Sequence, residues 1–166
     1  RAIGCQASPS ESSGLDGACL GTGEPPLKSA DSTKLPDGYV ELPLRSPFTR
    51  VLGPVYVRQE GTRRSFAVRV ERHHLNASGY AHGGFLMTVA DVALSWGHAS
   101  DAHVPRITVS LNCDFVGTAR EGEWLEVDVD LQRQGRTLVF VNGNLRVGDR
   151  SVAHASGVLR TVPTPQ

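Results

Sequence analysis

The chain has 166 residues, which suits one domain with a substantial hydrophobic core. Its 17 Lys and Arg residues balance its 17 Asp and Glu residues, so we expect no basic surface that would attract nucleic acid or an anionic membrane. No apolar run approaches the length that is needed to cross a bilayer.

The N-terminal part of the chain has little regular pattern. Residues 1–35 are rich in Ser, Gly, Pro and Ala and have no apolar period, which predicts a flexible arm ahead of a domain over residues 36–162. Ser46-Pro47-Phe48 resembles an N-cap followed by proline at the first helical position, and predicts a short helix that ends at about Leu52.

Two strands and a long helix are predicted next. Val55–Gln59 and Ser65–Val70 have the composition of two strands, joined at Glu60-Gly61. From Gly84 to about Ala99, apolar residues recur at steps of three and four, as a helix requires; they are Phe85, Val89, Val92, Ala93 and Trp96.

Alternating apolar and polar residues fill the rest of the chain and predict β-strands. They fall into four groups: Val109 to Phe115, Leu125 to Leu131, Val139 to Val147 and Val152 to Leu159. Short turns separate the groups, which predicts an antiparallel meander, and Gly143 is predicted to form a bulge. The fold class is therefore α+β: a five- or six-stranded antiparallel sheet that curls around one long helix.

The richest chemical motif runs from Asn76 to Asp91. Gly83 and Gly84 let the backbone approach a ligand closely, and they leave free N–H groups where the helix begins. This end of a helix carries partial positive charge, which stabilises an oxygen that becomes negative. Asp91 follows Gly83 by eight residues, about 12 Å along the helix axis. A carboxylate in this apolar run is costly to bury without a purpose. One segment thus supplies an electrophilic donor and a base.

The motif His82-Gly83-Gly84, followed by Ala90-Asp91, resembles the HGG…AD signature of hotdog-fold acyl-CoA thioesterases of the PaaI type. Four further blocks resemble that family in the same order, so the match covers roughly residues 36–161; they are Thr108 to Phe115, Ala119 to Glu123, Gln134 to Thr137 and Ser151 to Gly157. The resemblance implies hydrolysis of an acyl-CoA to a free acid and coenzyme A, with no metal or redox cofactor. It also implies a homodimer with its sheets edge to edge, often paired again into a tetramer.

The resemblance assigns catalytic roles to five residues. Asp91 would be either a general base that activates water or a nucleophile that forms a mixed anhydride, and both routes stay open. The Gly83 N–H would polarise the thioester carbonyl, and His82 would help to place the thioester. Asn76 would orient the water or the carbonyl, and Thr108 would hold the attacking water. Each residue also has a plain structural interpretation, as a turn, loop, helix or strand residue.

The resemblance places a second set of residues near the substrate. Arg120 and Arg136 lie on turns where the family meets the phosphates of coenzyme A, and Gly135 and Thr137 flank Arg136. Arginine suits phosphate because its guanidinium donates two parallel hydrogen bonds. Gly84 adjoins the expected oxyanion donor. Solvated turn arginines are the plain alternative for both cations.

Two arguments predict self-association. Gly83 and Asp91 are too far apart on one helix to grip one carbonyl, but a two-fold dimer would bring Gly83 of one subunit to Asp91 of the other. In addition, Val127, Val129 and Leu131 give the sheet an apolar face that one helix is expected to cover only in part. We therefore expect a dimer or a tetramer.

Other functions and sites are less consistent with the sequence. An enoyl-thioester hydratase or dehydratase would want a catalytic His paired with an acid, and a non-catalytic acyl-CoA-binding or sensing protein could dispense with Asp91. Trp96 is expected in the core, at an interface or along the acyl pocket. No metal site is predicted, since the histidines and the three cysteines lack ligand spacing. The cysteine usage favours a reducing, cytoplasmic setting. The sequence does not specify acyl chain length or aromatic preference.

Overall fold

The computed structural model describes residues 35–44, 46–97 and 104–162, so the predicted arm over residues 1–35 lies almost wholly outside them. These residues form one α-helix, two short 3-10 helices and seven strands. The helix α1 is Gly83–Trp96, and the 3-10 helices are Thr49–Leu52 and Arg72–His74. The strands are β1 Val40–Leu42, β2 Val55–Glu60, β3 Arg63–Arg69, β4 Arg106–Phe115, β5 Trp124–Gln134, β6 Leu138–Val147 and β7 Arg150–Thr161.

The strands form one antiparallel sheet in the order β1-β2-β3-β5-β6-β7-β4. The α+β prediction is confirmed, and β1 adds one strand to the predicted six. The predicted meander is right for β5, β6 and β7 but wrong for β4, which pairs with β7. The chain after β4 crosses the end of the sheet, where Val116 and Gly117 donate their N–H groups to the Val152 carbonyl. As a result β4 is an edge strand of the described sheet.

Helix α1 lies against one face of the sheet and forms the centre of the core. Seven of its residues are buried: Phe85, Leu86, Val89, Ala90, Val92, Ala93 and Leu94. Gly143 and Gly157 make room for Leu94, because a Cβ on either glycine would lie 3.1 Å from a Leu94 methyl carbon. Gly143 pairs regularly with Val129 and Ala155, so the bulge predicted there is wrong.

The first short helix begins later than predicted. The first 3-10 helix starts at Thr49, and Pro47 and Phe48 form a turn before it. The Ser46 side chain does not cap this helix; instead the Ser46 carbonyl accepts a hydrogen bond from Thr49 Oγ1 at 3.1 Å. A 3-10 helix this short can begin directly from a turn. The proline therefore does not determine the residue at which the helix starts.

The outer face of the sheet carries a network of charged side chains that ties down the start of the domain. The Tyr39 hydroxyl donates to Glu126 at 3.0 Å, and Arg146 bonds both Glu126 and Asp128 at 2.9 Å. Burial opposes ionisation of Asp128, but hydrogen bonds from Arg146 and Ser65 outweigh it and lower the pKa of this carboxyl. The ion pairs and hydrogen bonds of this network therefore hold the segment before β1 against the sheet.

Strand β4 carries exposed apolar side chains, whereas those of β5 are largely covered. The apolar face of β5, which the helix is expected to cover only in part, is mostly covered: Val127 and Val129 are 0% and 5% exposed, and Leu131 is half-buried. In contrast, Ile107 and Val109 are 58% and 59% exposed, on a strand whose outer edge has no partner within the described part of the chain. Among the described helices, none is long and apolar enough to cross a membrane.

Candidate active site

The N-terminus of helix α1 presents open backbone donors. His82 is the N-cap residue, and its Nδ1 accepts the Gly84 N–H at 2.9 Å while its carbonyl accepts the Leu86 N–H at 3.1 Å. The Gly83 and Phe85 N–H groups have no acceptor among the residues that the structure describes. Because the helix dipole places positive charge here, these two N–H groups are suited to bind an oxyanion. The Gly84 N–H is already engaged by the cap.

The loop before the helix is shaped by Asn76. Its side-chain Oδ1 accepts the N–H groups of Ser78 at 2.9 Å and Tyr80 at 3.2 Å. Its backbone also pairs with Gly79 and Tyr80, and Gly79 has a φ of 79° that favours glycine. Oδ1 of Asn76 is thus engaged within the loop, whereas its Nδ2 group takes no part in these hydrogen bonds.

The carboxylate of Asp91 faces strand β4. Thr108 donates its hydroxyl proton to Asp91 Oδ1 at 2.7 Å, and Asp91 is half-buried. The pairing of β4 with β7 is irregular between Thr108 and Ser110, so a bulge at Val109 interrupts the alternation. Two residues earlier, the Arg106 guanidinium donates to the Ser95 carbonyl at 3.0 Å, one helical turn beyond Asp91. Strand β4 is therefore attached to the helix at both positions.

Gly83 and Asp91 lie at opposite ends of β4. Phe115, the last residue of β4, packs over Gly83, because a Cβ built on Gly83 would be 3.4 Å from its Cζ atom. Asp91 accepts a hydrogen bond from Thr108. Thr108 precedes Phe115 by seven residues, a separation of about 20 Å along the bulged strand. Within one chain, the donor and the carboxylate do not converge on one carbonyl group.

The residues expected to bind coenzyme A are also split. Arg120 lies on the turn after β4, where its guanidinium stands 5.7 Å from the centre of the Tyr80 ring. Gly135, Arg136 and Thr137 are exposed in the β5–β6 hairpin. Strand β5 separates the two turns by its whole length, over about 30 Å, so one chain does not bring both arginines together.

Two residues near the helix N-terminus carry no signal in the sequence motif. Phe115 covers Gly83, and its position depends on the crossing of β4, which the sequence does not predict. His74 is 4% exposed beneath the first helical turn, and burial lowers its pKa. Within residues 35–44, 46–97 and 104–162, no cluster of three or more His, Cys, Asp or Glu residues could hold a metal ion.

Comparisons with known proteins identify the family. A family model described as Thioesterase superfamily matches residues 78–154. A Pseudomonas aeruginosa protein whose name assigns it to the esterases is 41% identical over 127 residues, which are 75% of this chain and 95% of that protein. Human acyl-coenzyme A thioesterase 13 is 28% identical over 100 residues, 59% of this chain and 71% of the human protein. A mutant of the phenylacetic acid degradation protein PaaI from Thermus thermophilus is 25% identical with a TM-score of 0.62, and the match covers 70% of this chain and 100% of that chain.

Proposed function

This chain belongs to the hotdog-fold thioesterase superfamily, and on that premise we propose that it hydrolyses an acyl-CoA thioester to a free acid and coenzyme A. The general reaction, thioester hydrolysis, is supported by the family and by a relative that is named an acyl-CoA thioesterase. The proposal rests on two groups at opposite ends of one edge strand. One is the open Gly83 N–H, and the other is the Asp91 carboxylate, which accepts a hydrogen bond from Thr108.

The proposed active site is shared between two protomers. A two-fold axis through the middle of β4, near Leu111, would pair the free edges of two β4 strands antiparallel and exchange their ends. The Gly83 end of one protomer would then meet the Asp91 end of its partner, and each dimer would contain two complete sites. The same operation brings the Arg120 turn of one protomer toward the Arg136 hairpin of the other. The exposed Ile107 and Val109 side chains are consistent with this interface.

In this site the thioester carbonyl oxygen accepts the Gly83 N–H, which stabilises the negative charge of the tetrahedral intermediate. The Nδ1 atom of His82 accepts from Gly84, so the neutral ring carries its proton on Nε2 and can donate it to the substrate. The Thr108 hydroxyl occupies one lone pair of Asp91 Oδ1 and orients the carboxylate.

Asp91 acts by one of two routes. As a general base it takes a proton from water while the water oxygen attacks the carbonyl carbon; the carbon–sulfur bond then breaks and coenzyme A leaves as the thiolate. As a nucleophile it forms a mixed anhydride with loss of the thiolate, and water cleaves the anhydride in a second step. Appearance of ¹⁸O in the Asp91 carboxylate after single-turnover hydrolysis in ¹⁸O-water would identify the nucleophilic route with water attack at the Asp91 carbonyl, because a general base gains no oxygen from water.

The test of the proposed function is release of free thiol from a panel of short, long and aromatic acyl-CoAs. The wild-type protein should hydrolyse at least one class, with the product acid appearing in equal amount. Tight binding of acyl-CoAs with no thiol release would contradict the proposal and would favour a binding or sensing protein.

A further inference from the structure

We propose that His74 is a positioning residue that fixes the N-terminal turn of helix α1, and with it the direction of the Gly83 N–H. The inference rests on the proposed function for its catalytic consequence, but its structural content concerns only this turn. His74 lies in the second 3-10 helix, eight residues before His82, and belongs to none of the motif positions.

The imidazole of His74 is held from both ring nitrogens. The Glu71 N–H donates to Nδ1 at 3.0 Å, so the hydrogen of the neutral ring is on Nε2, which donates to the Val51 carbonyl at 3.3 Å. The charged or titratable groups whose fields reach the ring are Glu71 and His73. Burial, to which the field of His73 adds, outweighs the Val51 hydrogen bond and the Glu71 charge and lowers the pKa of His74, which favours the neutral ring that this geometry needs.

The same residue contacts the helix on both sides of Gly83. Its ring stacks on Phe85, with ring centres 3.9 Å apart and planes inclined by 14°. Its backbone carbonyl accepts the His82 N–H at 2.8 Å. His82 directly precedes Gly83, and Phe85 follows Gly83 by two residues. His74 therefore restrains the backbone on both sides of the Gly83 N–H. A shift of the ring would therefore move the Gly83 N–H relative to the substrate.

Two substitutions separate the contacts of His74. His74→Phe keeps a flat ring against Phe85 but removes both side-chain hydrogen bonds, whereas His74→Gln keeps a donor for the Val51 carbonyl but removes the stacked ring. Arg72→Gln is the matched control, since Arg72 is an exposed residue of the same 3-10 helix. His73 is unsuitable as a control, because its ring centre lies 3.9 Å from that of His74. For each folded variant we would measure kcat, KM and the amide ¹H and ¹⁵N shifts of Gly83 and Phe85.

We expect the two His74 variants to shift the Gly83 amide resonance and to lower kcat by about ten- to a hundredfold with KM within about threefold, as for a misplaced catalytic donor. The control should leave all these quantities unchanged. Folded His74 variants with a wild-type Gly83 resonance and wild-type kcat would overturn the proposal, and so would equal effects from Arg72→Gln. If wild-type protein hydrolyses no acyl-CoA, the proposed function fails while the Gly83 resonance still decides the role of His74.

Should neither variant fold, the wild-type protein supplies the test. Its His74 and His82 ring ¹³C signals and its Gly83 amide would be followed together as the pH is lowered. A Gly83 amide that changes with the His74 midpoint supports the proposal. A Gly83 amide that follows only His82, or that does not titrate, would refute it.

Discussion

Among single residues, Asp91 is the one that the proposed chemistry requires most. Its carboxylate accepts a 2.7 Å hydrogen bond from Thr108 and is half-buried, so the change to Asn keeps the size and an acceptor oxygen for Thr108. Asp91→Asn should therefore fold normally but lower kcat by at least about 100-fold with little change in KM, because the loss falls on the transition state. Asp149→Asn, in the exposed β6–β7 turn, is the control. Turnover above roughly a tenth of the wild-type value would remove Asp91 from the chemistry.

Gly83 offers a second test at this scale. Its φ is not positive, and a Cβ there would make ordinary contact with Phe115 at 3.4 Å, so Gly83→Ala should fold with an unchanged or slightly raised melting temperature. Its turnover should nevertheless fall by about two orders of magnitude, since the methyl group occupies the approach to the oxyanion donor.

Gly79→Ala is the matched control for that substitution. Gly79 has a φ of 79° and open space around its Cα, so alanine there should cost about 1–2 kcal/mol of stability through backbone strain alone. Its folded fraction should keep full turnover. Melting temperature and turnover would be measured on the same preparations; a destabilised but fully active Gly83→Ala protein would make Gly83 an ordinary turn glycine.

At the scale of the elements, strand β4 connects the fold to the assembly. Its exposed Ile107 and Val109 should be buried between protomers, so replacing both by Glu should shift the protein from dimer or tetramer to monomer at micromolar concentration, with loss of activity. Val40→Glu is the control, because Val40 is 64% exposed on the opposite edge strand, β1. Sedimentation velocity measures the assembly state of both variants. An assembly that is insensitive to the β4 change, or sensitive to the β1 change, would contradict the proposed interface.

Local pattern predicts the elements well and their partners poorly. The spacing of Phe85, Val89 and Val92 predicts the helix because one side of a helix must be apolar to pack on a sheet. The alternation in β4 predicts a strand, but its pairing with β7 depends on the crossing of residues 116–123, which no local pattern encodes. The covered Val127 and the role of Gly143 in seating Leu94 are likewise properties of the assembled core.

The candidate site was predictable to the same degree. The motif locates Gly83 and Asp91, because a close approach to the backbone requires glycine and a base within the helix requires a carboxylate. The turn formed by the Asn76 side chain, the bulge at Val109 and the buried ring of His74 follow from tertiary contacts, so the sequence alone does not reveal them.

At the scale of the whole molecule, stability should depend on the buried histidine. Because burial lowers the pKa of His74 in the folded state, the unfolded chain binds the proton first as the pH falls below about 6.5, and the free energy of unfolding decreases there. The pKa of the Asp128 carboxyl is also lowered, but by hydrogen bonds from Arg146 and Ser65 and not by burial, and its contribution to stability is lost only below about pH 4.

Urea unfolding at pH 7.5 and pH 5.5 tests this dependence. Wild-type protein should lose more stability between the two pH values than His74→Phe, which lacks the titrating ring. Equal losses in the two proteins would show that another group dominates in this range.

Mixing two inactive proteins decides whether two protomers share each active site. Gly83→Ala and Asp91→Asn subunits would be unfolded together, refolded as an equal mixture, and assayed for coenzyme A release. If each site takes Gly83 from one subunit and Asp91 from its partner, about a quarter of the sites, one half times one half, are intact in the mixture. About a quarter of the wild-type activity should therefore return. If both residues act within one chain, no intact site can form, and a mixture no more active than its two components would show that the site is not shared.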